Sequence, residues 1–178
     1  MHTSARAANL LGALGLVLLD RLDDAAELAG GRTAATALVA IGGPAAGASI
    51  DALARILGLS HSGTVRVVDR LVRESLVERR RGADQRSAAL VLTPAGRRAA
   101  RRVRDRREAN MQSLLALLTD DQRGAAVAIA EQILAQAGTA EAAGHRVCRL
   151  CDLEACGRRG GLCPVSAASA ERRSELST

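Results

Sequence analysis

Four cysteines are the residues whose type and spacing most clearly suggest chemistry. They lie within sixteen residues, in the pattern Cys148-x2-Cys151-x4-Cys156-x6-Cys163, and glycines between them would let the chain loop back. Four thiolates suit a tetrahedral zinc ion or an iron–sulfur cluster. We expect a metal site here, with zinc slightly favoured over an iron–sulfur cluster. Metal-free thiols that oxidise are the third interpretation, and a zinc site that only folds the tail is the simplest.

Arginine is the second informative residue type. The 178-residue chain has 25 basic residues, all of them Arg, and contains no Lys, Phe, Tyr or Trp. It therefore has no lysine nucleophile and no aromatic platform on which bases could stack. Residues 60–107 hold fourteen Arg against five acidic residues, a net charge of +9, whereas the whole chain carries +6. A localised basic surface is typical of a nucleic-acid partner, and a merely solvated basic face is the alternative.

Catalytic constellations are missing from the sequence. It has no His-Glu-x-x-His, no Gly-x-Ser-x-Gly and no phosphate loop with lysine, and its only histidines are His2, His61 and His145. Paired carboxylates such as Asp23-Asp24 and Asp120-Asp121 occur where capping or solvation of a helix explains them. We therefore expect no enzymatic activity.

The N-terminal apolar stretch, residues 7–19, predicts a helix rather than an export signal. Its leucines repeat at helical spacing, the pattern continues to Leu28, and no clear cleavage site follows it. No apolar run reaches the ~20 residues of a membrane span. We expect a cytoplasmic protein without a membrane partner.

The elements that position the arginines follow from turn and capping residues. Ser49 and Ser60 are predicted to cap two short helices that Gly58 joins, over residues 49–74. A hairpin with arms at 76–81 and 88–92 follows. Thr93 and Pro94 start a further helix, and Thr119 with Gln122 forms a capping box for the last one, about 120–137. Two helices and a basic hairpin in this order predict a winged helix-turn-helix.

The second helix of this motif, the recognition helix, would enter the major groove, and the wing would approach the neighbouring minor groove. We expect Ser62, Thr64 and Arg66 to read bases, and Arg70 and Arg73 to contact phosphates. Asp84 would orient Arg86 in the wing. The full set of predicted DNA-binding residues is Ser60, His61, Ser62, Thr64, Arg66, Arg70, Arg73, Asp84 and Arg86.

The order of these residues resembles the MarR family of bacterial transcriptional regulators over about residues 50–135. The segments that carry the resemblance are Leu57-Gly58-Leu59-Ser60, Val68-Asp69-Arg70-Leu71, Asp84-Gln85-Arg86-Ser87 and Val91-Leu92-Thr93-Pro94-Ala95-Gly96. The resemblance implies a homodimer that binds a palindromic operator in double-stranded DNA, mostly as a repressor. It also implies possible release by small anions or oxidation.

Three departures from the family pattern matter. Ser75 stands where the family usually has Gly at the end of the recognition helix, so it must either carry any left-handed strain or end the helix differently. The chain offers no ring to an aromatic ligand, and no cysteine lies in the first helix or the DNA-binding lobe. Seven Arg between 97 and 107 cannot all face DNA, and a phosphate contact is most plausible for Arg97 or Arg98.

The predicted fold class is mainly α with a small β-hairpin wing. We expect a winged-helix domain over 1–138, with dimerisation helices at about 4–29 and 94–137 and a DNA-binding lobe at about 33–93. A four-cysteine metal-binding tail follows over 139–166, and 167–178 is predicted to be disordered. The expected function is a DNA-binding regulator that responds to redox state, metal or a small molecule. The alternative is a redox or metal sensor that acts through protein–protein contacts.

Overall fold

The computed structural model describes residues 2–81, 88–137 and 146–168. Six α-helices and one antiparallel hairpin are its main elements, which confirms the predicted fold class. The elements are α1 His2–Glu27, α2 Arg32–Ile41, α3 Ile50–Leu57, α4 His61–Arg73, β1 Val77–Arg81, β2 Ala88–Leu92, α5 Pro94–Leu115 and α6 Asp120–Ala137. None of these described helices is long and apolar enough to cross a membrane.

The helix-turn-helix forms through the caps predicted from sequence. Ser49 Oγ accepts a hydrogen bond from the Ala52 N–H at 3.3 Å, and Ser60 Oγ accepts one from Gly63 at 3.1 Å. Between the two helices Gly58 adopts a left-handed conformation with φ of 67°, which closes α3 tightly. These local contacts set the start of α4, the recognition helix.

The wing pairs β1 with β2 in the register Val77↔Leu92 to Arg81↔Ala88. Val77, Leu90 and Leu92 are buried on one side of the hairpin, whereas Arg79, Arg80 and Arg81 remain exposed at its outer end. The alternation fixes the wing on the core by its base. The tip of the wing, residues 82–87, includes Asp84 and Arg86 and lies outside the described residues.

The start of α5 locks the recognition helix to the wing. Thr93 caps α5 by accepting from Gly96 N at 3.0 Å, and its hydroxyl donates to the Ser75 carbonyl at 2.7 Å. Gly96 is required here, because a Cβ at this position would lie 1.9 Å from the Leu76 carbonyl oxygen. The Thr-Pro-x-Gly sequence therefore holds the end of α4 against α5.

The core lies around α2 and consists of aliphatic side chains. Every residue of α2 from Ala34 to Ile41 is buried, and Leu38, Leu53, Leu71 and Leu90 are each less than 2% exposed. Alanines fill the space that rings usually occupy in cores of this size. This compact core supports α3, α4 and the wing from one side.

Large apolar side chains remain exposed along α1 and α6. They are Leu10, Leu11, Leu14, Leu16, Val17 and Leu19 on α1, and Val127, Ile129 and Ile133 on α6, all at least 44% exposed. The capping box of α6 is formed as predicted, since Thr119 N donates to Gln122 Oε1 at 2.9 Å and Gln122 N donates to Thr119 Oγ1 at 3.3 Å. The first and last helices of the main domain thus present an apolar surface.

The described part of the tail, residues 146–168, folds back onto the main domain. Short 3₁₀ turns occur at Cys148–Leu150 and Arg158–Gly160, and a helical turn covers 164–168. Leu150 packs against the main core. The predicted disordered segment starts at 167, but residues 167 and 168 belong to this helical turn, and 169–178 lie outside the described residues.

Candidate nucleic-acid interface and cysteine cluster

The outer face of α4 carries polar and basic side chains at helical spacing. Ser62, Arg66 and Arg73 are exposed, and Val65 is partly exposed between them. The opposite face is held in the core by Val68 and Leu71, both of which are fully buried. The predicted positions of Ser62, Arg66 and Arg73 on the open side are therefore confirmed, and their contacts with DNA remain a prediction.

The predicted position of Thr64 on this open face was wrong. Thr64 is 0% exposed, and its hydroxyl donates to the Ser60 carbonyl at 3.0 Å. With its only polar atom satisfied inside the helix, the methyl group packs as an apolar side chain would. Residues 64, 68 and 71 form the buried row, and Val65 is partly exposed on the open side. Thr64 cannot reach a base edge.

The N-terminal end of α4 is organised by contacts with the preceding helix. His61 Nδ1 and Asp51 Oδ1 lie 2.6 Å apart, and both side chains are mostly exposed. Ser60 Oγ lies 3.3 Å from Ser62 Oγ in addition to its cap contact. Asp51 thus contacts one nitrogen of the imidazole, and the Ser60 and Ser62 hydroxyls lie next to each other at the N-terminus of α4.

Arg70, predicted to contact phosphate, is held within the domain. Its Nε donates to Glu74 at 2.9 Å, and both of its terminal nitrogens donate to the Gly30 carbonyl at 3.2 Å. Gly30 has a φ of 75°, and a Cβ there would lie 2.0 Å from the guanidinium. Arg70 therefore fastens the recognition helix to the turn between α1 and α2. Its geometry favours a structural role over a free phosphate contact.

The recognition helix ends on a left-handed residue that is not glycine. Ser75 has a φ of 57° and is the one positive-φ residue other than glycine among those described. Its N–H donates to Val72 O at 2.9 Å, and the next N–H, of Leu76, donates to Leu71 O at 2.8 Å. Ser75 thus adopts the left-handed conformation that glycine would adopt without strain.

The arginines of α5 divide between structural contacts and solvent. Arg97 donates to the Leu92 carbonyl at 2.8 Å, so this candidate for a phosphate contact instead caps the end of β2. Arg106 donates to Asp24 on α1 at 2.8 Å, and Asn110 donates to the same carboxylate oxygen. Hydrogen bonds from Arg106 and then Asn110 lower the pKa of Asp24 to about 2. Arg98, Arg101 and Arg102 are exposed.

The four cysteines of the tail lie in one cluster. Cys148 and Cys163 are each 3% exposed, and Cys151 and Cys156 pack against them. All four are free thiols. A hydrogen bond from Cys148 lowers the pKa of Cys151 to about 6, with Arg107 and Arg158 acting in the same direction. The same pairing, together with burial, raises the pKa of Cys148.

The Cys151 thiol donates to the Val147 carbonyl at 4.0 Å, and the Cys156 thiol donates to the Leu153 carbonyl at 3.7 Å. Burial raises the pKa of Cys156. The pKa of Cys163 is lowered despite burial, because Ser166 and backbone N–H groups hydrogen-bond to its sulfur. Across the described ranges, no three His, Cys, Asp or Glu side chains are set around one point as the ligands of an ion. The predicted metal site stays a prediction.

Sequence reasoning missed three contacts that connect these regions. Arg70 reaches Gly30 across forty residues, Leu150 joins the main core, and the Arg146 guanidinium lies over Gly58. The apolar residue at position 150, isolated among charged and cysteine residues, was the only available indication of the second contact. The other two are made by the long side chains of Arg70 and Arg146, whose partners no local pattern specifies.

Comparisons with known proteins agree with this architecture. Residues 31–87 match a family model described as MarR family. The structure of YusO from Bacillus subtilis aligns with a TM-score of 0.63 at 22% identity, over 74% of this chain and 94% of that one. A MarR-family transcriptional regulator from Silicibacter pomeroyi aligns with a TM-score of 0.55 at 28% identity, over 73% of this chain and 88% of that one.

A third solved structure contains nucleic acid. A mutant of MepR from Staphylococcus aureus, bound to an oligodeoxyribonucleotide, aligns with a TM-score of 0.56 at 16% identity, over 73% of this chain and 96% of that one. A comparison with curated protein sequences gives no match. The structural neighbours share the winged-helix fold with this chain.

Proposed function

We propose that this protein, whose residues 31–87 match a MarR-family model, is a sequence-specific DNA-binding transcriptional regulator that acts as a homodimer. The observation that carries the proposal is the outer face of α4. Ser62, Arg66 and Arg73 are exposed there while Val68 and Leu71 anchor the helix in the core. Such a helix presents donors to base edges and phosphates at once.

The wing supports the same conclusion. Arg79, Arg80 and Arg81 continue the basic surface beyond the end of α4, and Asp84 and Arg86 are the proposed minor-groove pair at its tip. MepR, a structural neighbour, has been solved with an oligodeoxyribonucleotide, so the same fold can hold DNA. The revised proposal for base reading is Ser62, Val65 and Arg66, since a Val methyl can contact the methyl group of thymine.

The apolar surface of α1 and α6 supports a homodimer. Leaving so many leucine, isoleucine and valine side chains in water is unfavourable by about 25 cal/mol for each Å² of apolar surface. A second copy of the chain would cover both helices with one symmetric interface. Two α4 helices related in this way would bind a palindromic operator, and a bound operator that overlaps a promoter would repress it. We infer that the response to metal or redox state enters through the four-cysteine tail.

Selection from a random duplex pool tests the proposal. The full-length protein should enrich a palindrome whose half-sites lie about 10 base pairs apart, and its affinity should fall steeply as salt rises. Sedimentation should show a dimer in the same buffer. Transcription from a promoter that carries the selected site should rise when the protein is absent. Binding without sequence preference, or binding that salt does not weaken, would exclude this function and favour a protein–protein sensor.

A further inference from the structure

We propose that Cys148, Cys151, Cys156 and Cys163 bind one tetrathiolate metal centre, either a zinc ion or an iron–sulfur cluster, and that the loaded tail clamps the helix-turn-helix. The geometric basis is the shared cluster, in which cysteines up to fifteen positions apart come together. Left-handed Gly157 and Gly161, with φ of 67° and 76°, turn the chain back between the third and fourth cysteine. The inference deepens the proposed function by assigning the site of its regulation.

The arrangement of the sulfurs is that of free thiols close enough together to bind one metal after small side-chain rotations. Protonated thiols are weak hydrogen-bond donors, and here Cys151 and Cys156 donate to the backbone carbonyls of Val147 and Leu153 at 4.0 and 3.7 Å. A metal binds thiolates, so loading releases the thiol protons and ends these weak contacts. The four cysteines already pack in one cluster, and each sulfur has staggered rotamers through which it can turn toward a common ion.

Arginines around the cluster suit a negatively charged centre. Arg107 on α5 lines the groove that also contains Leu150, and Arg158 follows Cys156 by two positions in the tail. In the described structure the Arg107 Nε is buried without a hydrogen-bond partner. A buried guanidinium nitrogen without an acceptor is costly, and a tetrathiolate centre would supply the missing negative charge and an acceptor sulfur.

The small size of the tail is a further argument for a metal. Among the residues that the structure describes, the cysteine cluster holds Val165 as its one buried apolar residue besides the cysteines, with Leu134 and Val147 packed at its side. So few aliphatic contacts do not balance the chain entropy of ordering some twenty residues. A structural metal is the common means by which so small a unit keeps one conformation.

Two residues that flank Cys148 carry the state of the cluster to the DNA-binding lobe. Leu150 enters a groove between α1, α2 and α5, which Leu22, Ala35 and Val103 line. Arg146 lies over the helix-turn-helix turn, with its Cζ 3.2 Å from the position that a Cβ on Gly58 would occupy. Loading the centre therefore fixes a cationic side chain directly before the recognition helix. We expect the loaded protein to bind its operator more tightly than the metal-free protein.

Metal analysis of the full-length protein, purified without oxygen, tests the site independently of DNA. One zinc per chain in a colourless protein identifies a zinc centre, whereas iron with acid-labile sulfide and visible charge-transfer absorption identifies a cluster. Either result supports the site if Cys151→Ser lowers the metal content at least tenfold. The site is wrong if the parent holds no metal after incubation with zinc, or with iron and sulfide, and if all four of its thiols then react freely.

Operator binding before and after chelation tests the clamp. The loaded parent should bind at least fivefold more tightly than the chelated parent, and this comparison needs no mutation. Arg146→Ala and Leu150→Ala should keep the metal but reduce the difference to less than twofold, and Leu162→Ala, at a 77% exposed position in the tail, is the matched control. Equal binding by the loaded and chelated parent overturns the clamp. Metal binding without any DNA binding overturns the proposed function while the site stands.

Discussion

Arg79 on the wing donates a hydrogen bond to Asp69 on the recognition helix, with 2.7 Å between Nη2 and Oδ1. Both side chains are more than a third exposed, so the ion pair contributes little to stability. Its main effect is on the surface proposed to meet DNA. It holds the base of the wing beside α4 and places one carboxylate among the arginines.

Replacing Asp69 by Ala should lower the sequence specificity of DNA binding and have little effect on stability. The free energy of unfolding should change by less than about 1 kcal/mol, because an exposed pair is lost. Affinity for random duplex DNA should rise, since a negative charge disappears and Arg79 is released toward phosphates. Titrations with operator DNA and with random DNA measure the ratio of the two affinities. Asp105→Ala, which removes an exposed carboxylate from α5, is the control, and an equal effect of both variants would show that only net charge matters.

Arg66 is expected to be the main base-reading residue. Arg66→Ala should weaken operator binding by about 1–3 kcal/mol, or roughly 5- to 150-fold, and relax the preference at one position of each half-site. Arg66→Lys retains the charge but loses the planar fork that binds two acceptors of a guanine. It should therefore keep the salt dependence of the parent and still lose the sequence preference. Full preference in the lysine variant would mean that Arg66 contacts only phosphate.

Ser75 should be more stable as glycine. A left-handed conformation costs a non-glycine residue about 1–2 kcal/mol, and the greater chain entropy of glycine offsets part of this. We expect Ser75→Gly to raise the free energy of unfolding by about 0.5–1 kcal/mol in urea denaturation. Ser62→Gly, in the regular backbone of α4, should lower it by a similar amount. A loss of stability in Ser75→Gly would contradict the left-handed conformation at this position.

Gly96 should not tolerate alanine, although it lies in a helix. The added Cβ would meet the Leu76 carbonyl oxygen at 1.9 Å, so the end of α4 must move away from α5. We expect a destabilisation of more than about 2 kcal/mol, as in other cases of overpacking. Gly124→Ala on α6 is the matched control, because no atom lies within 4 Å of its Cβ. That variant should gain up to about 1 kcal/mol from helix propensity. Similar melting temperatures for both variants would refute the close approach.

The link between α1 and α5 should weaken in acid. The pKa of Asp24 is lowered from 3.8 to about 2 in the folded protein, first by its hydrogen bond from Arg106. The ionised carboxylate therefore stabilises the fold above pH 4, and this contribution disappears as the pH falls toward 2. Thermal unfolding of the parent and of Asp24→Asn should differ most at neutral pH and converge near pH 2. A constant difference across this range would exclude the ionised Asp24 as its cause.

The elements of the fold could be predicted because local capping and turn residues determine where they begin and end. Ser49, Ser60 and Thr93 each cap the helix that follows them, and Gly58 adopts the left-handed turn. The rotation of α4 could not be predicted in the same way. The buried row of α4 could begin at either Thr64 or Val65 with helical spacing, and the apolarity of the side chain alone favours Val65. The hydrogen bond from Thr64 to the Ser60 carbonyl, four residues earlier, satisfies the hydroxyl locally and allows threonine rather than valine to be the buried residue.

The candidate site was predictable in type but not in all its contacts. The exposure of Ser62, Arg66 and Arg73 follows from helical spacing around an apolar row. Arg70 satisfies the same pattern, yet it is occupied by the Gly30 carbonyl. Long arginine side chains reach several partners at similar cost, and the sequence does not say which partner packing brings near. For the same reason the position of Arg146 over Gly58 emerges only from the structure.

If the exposed aliphatic side chains of α1 and α6 form the proposed dimer interface, the concentration of the chain in a cell becomes part of its regulation. If operator occupancy requires pairing, the amount of competent species varies with the square of chain concentration when the protein is scarce. A modest fall in synthesis of the protein would then lower operator occupancy sharply and raise transcription. Overproduction would restore repression equally steeply. An aliphatic stripe would thus give the regulator a threshold before any effector acts.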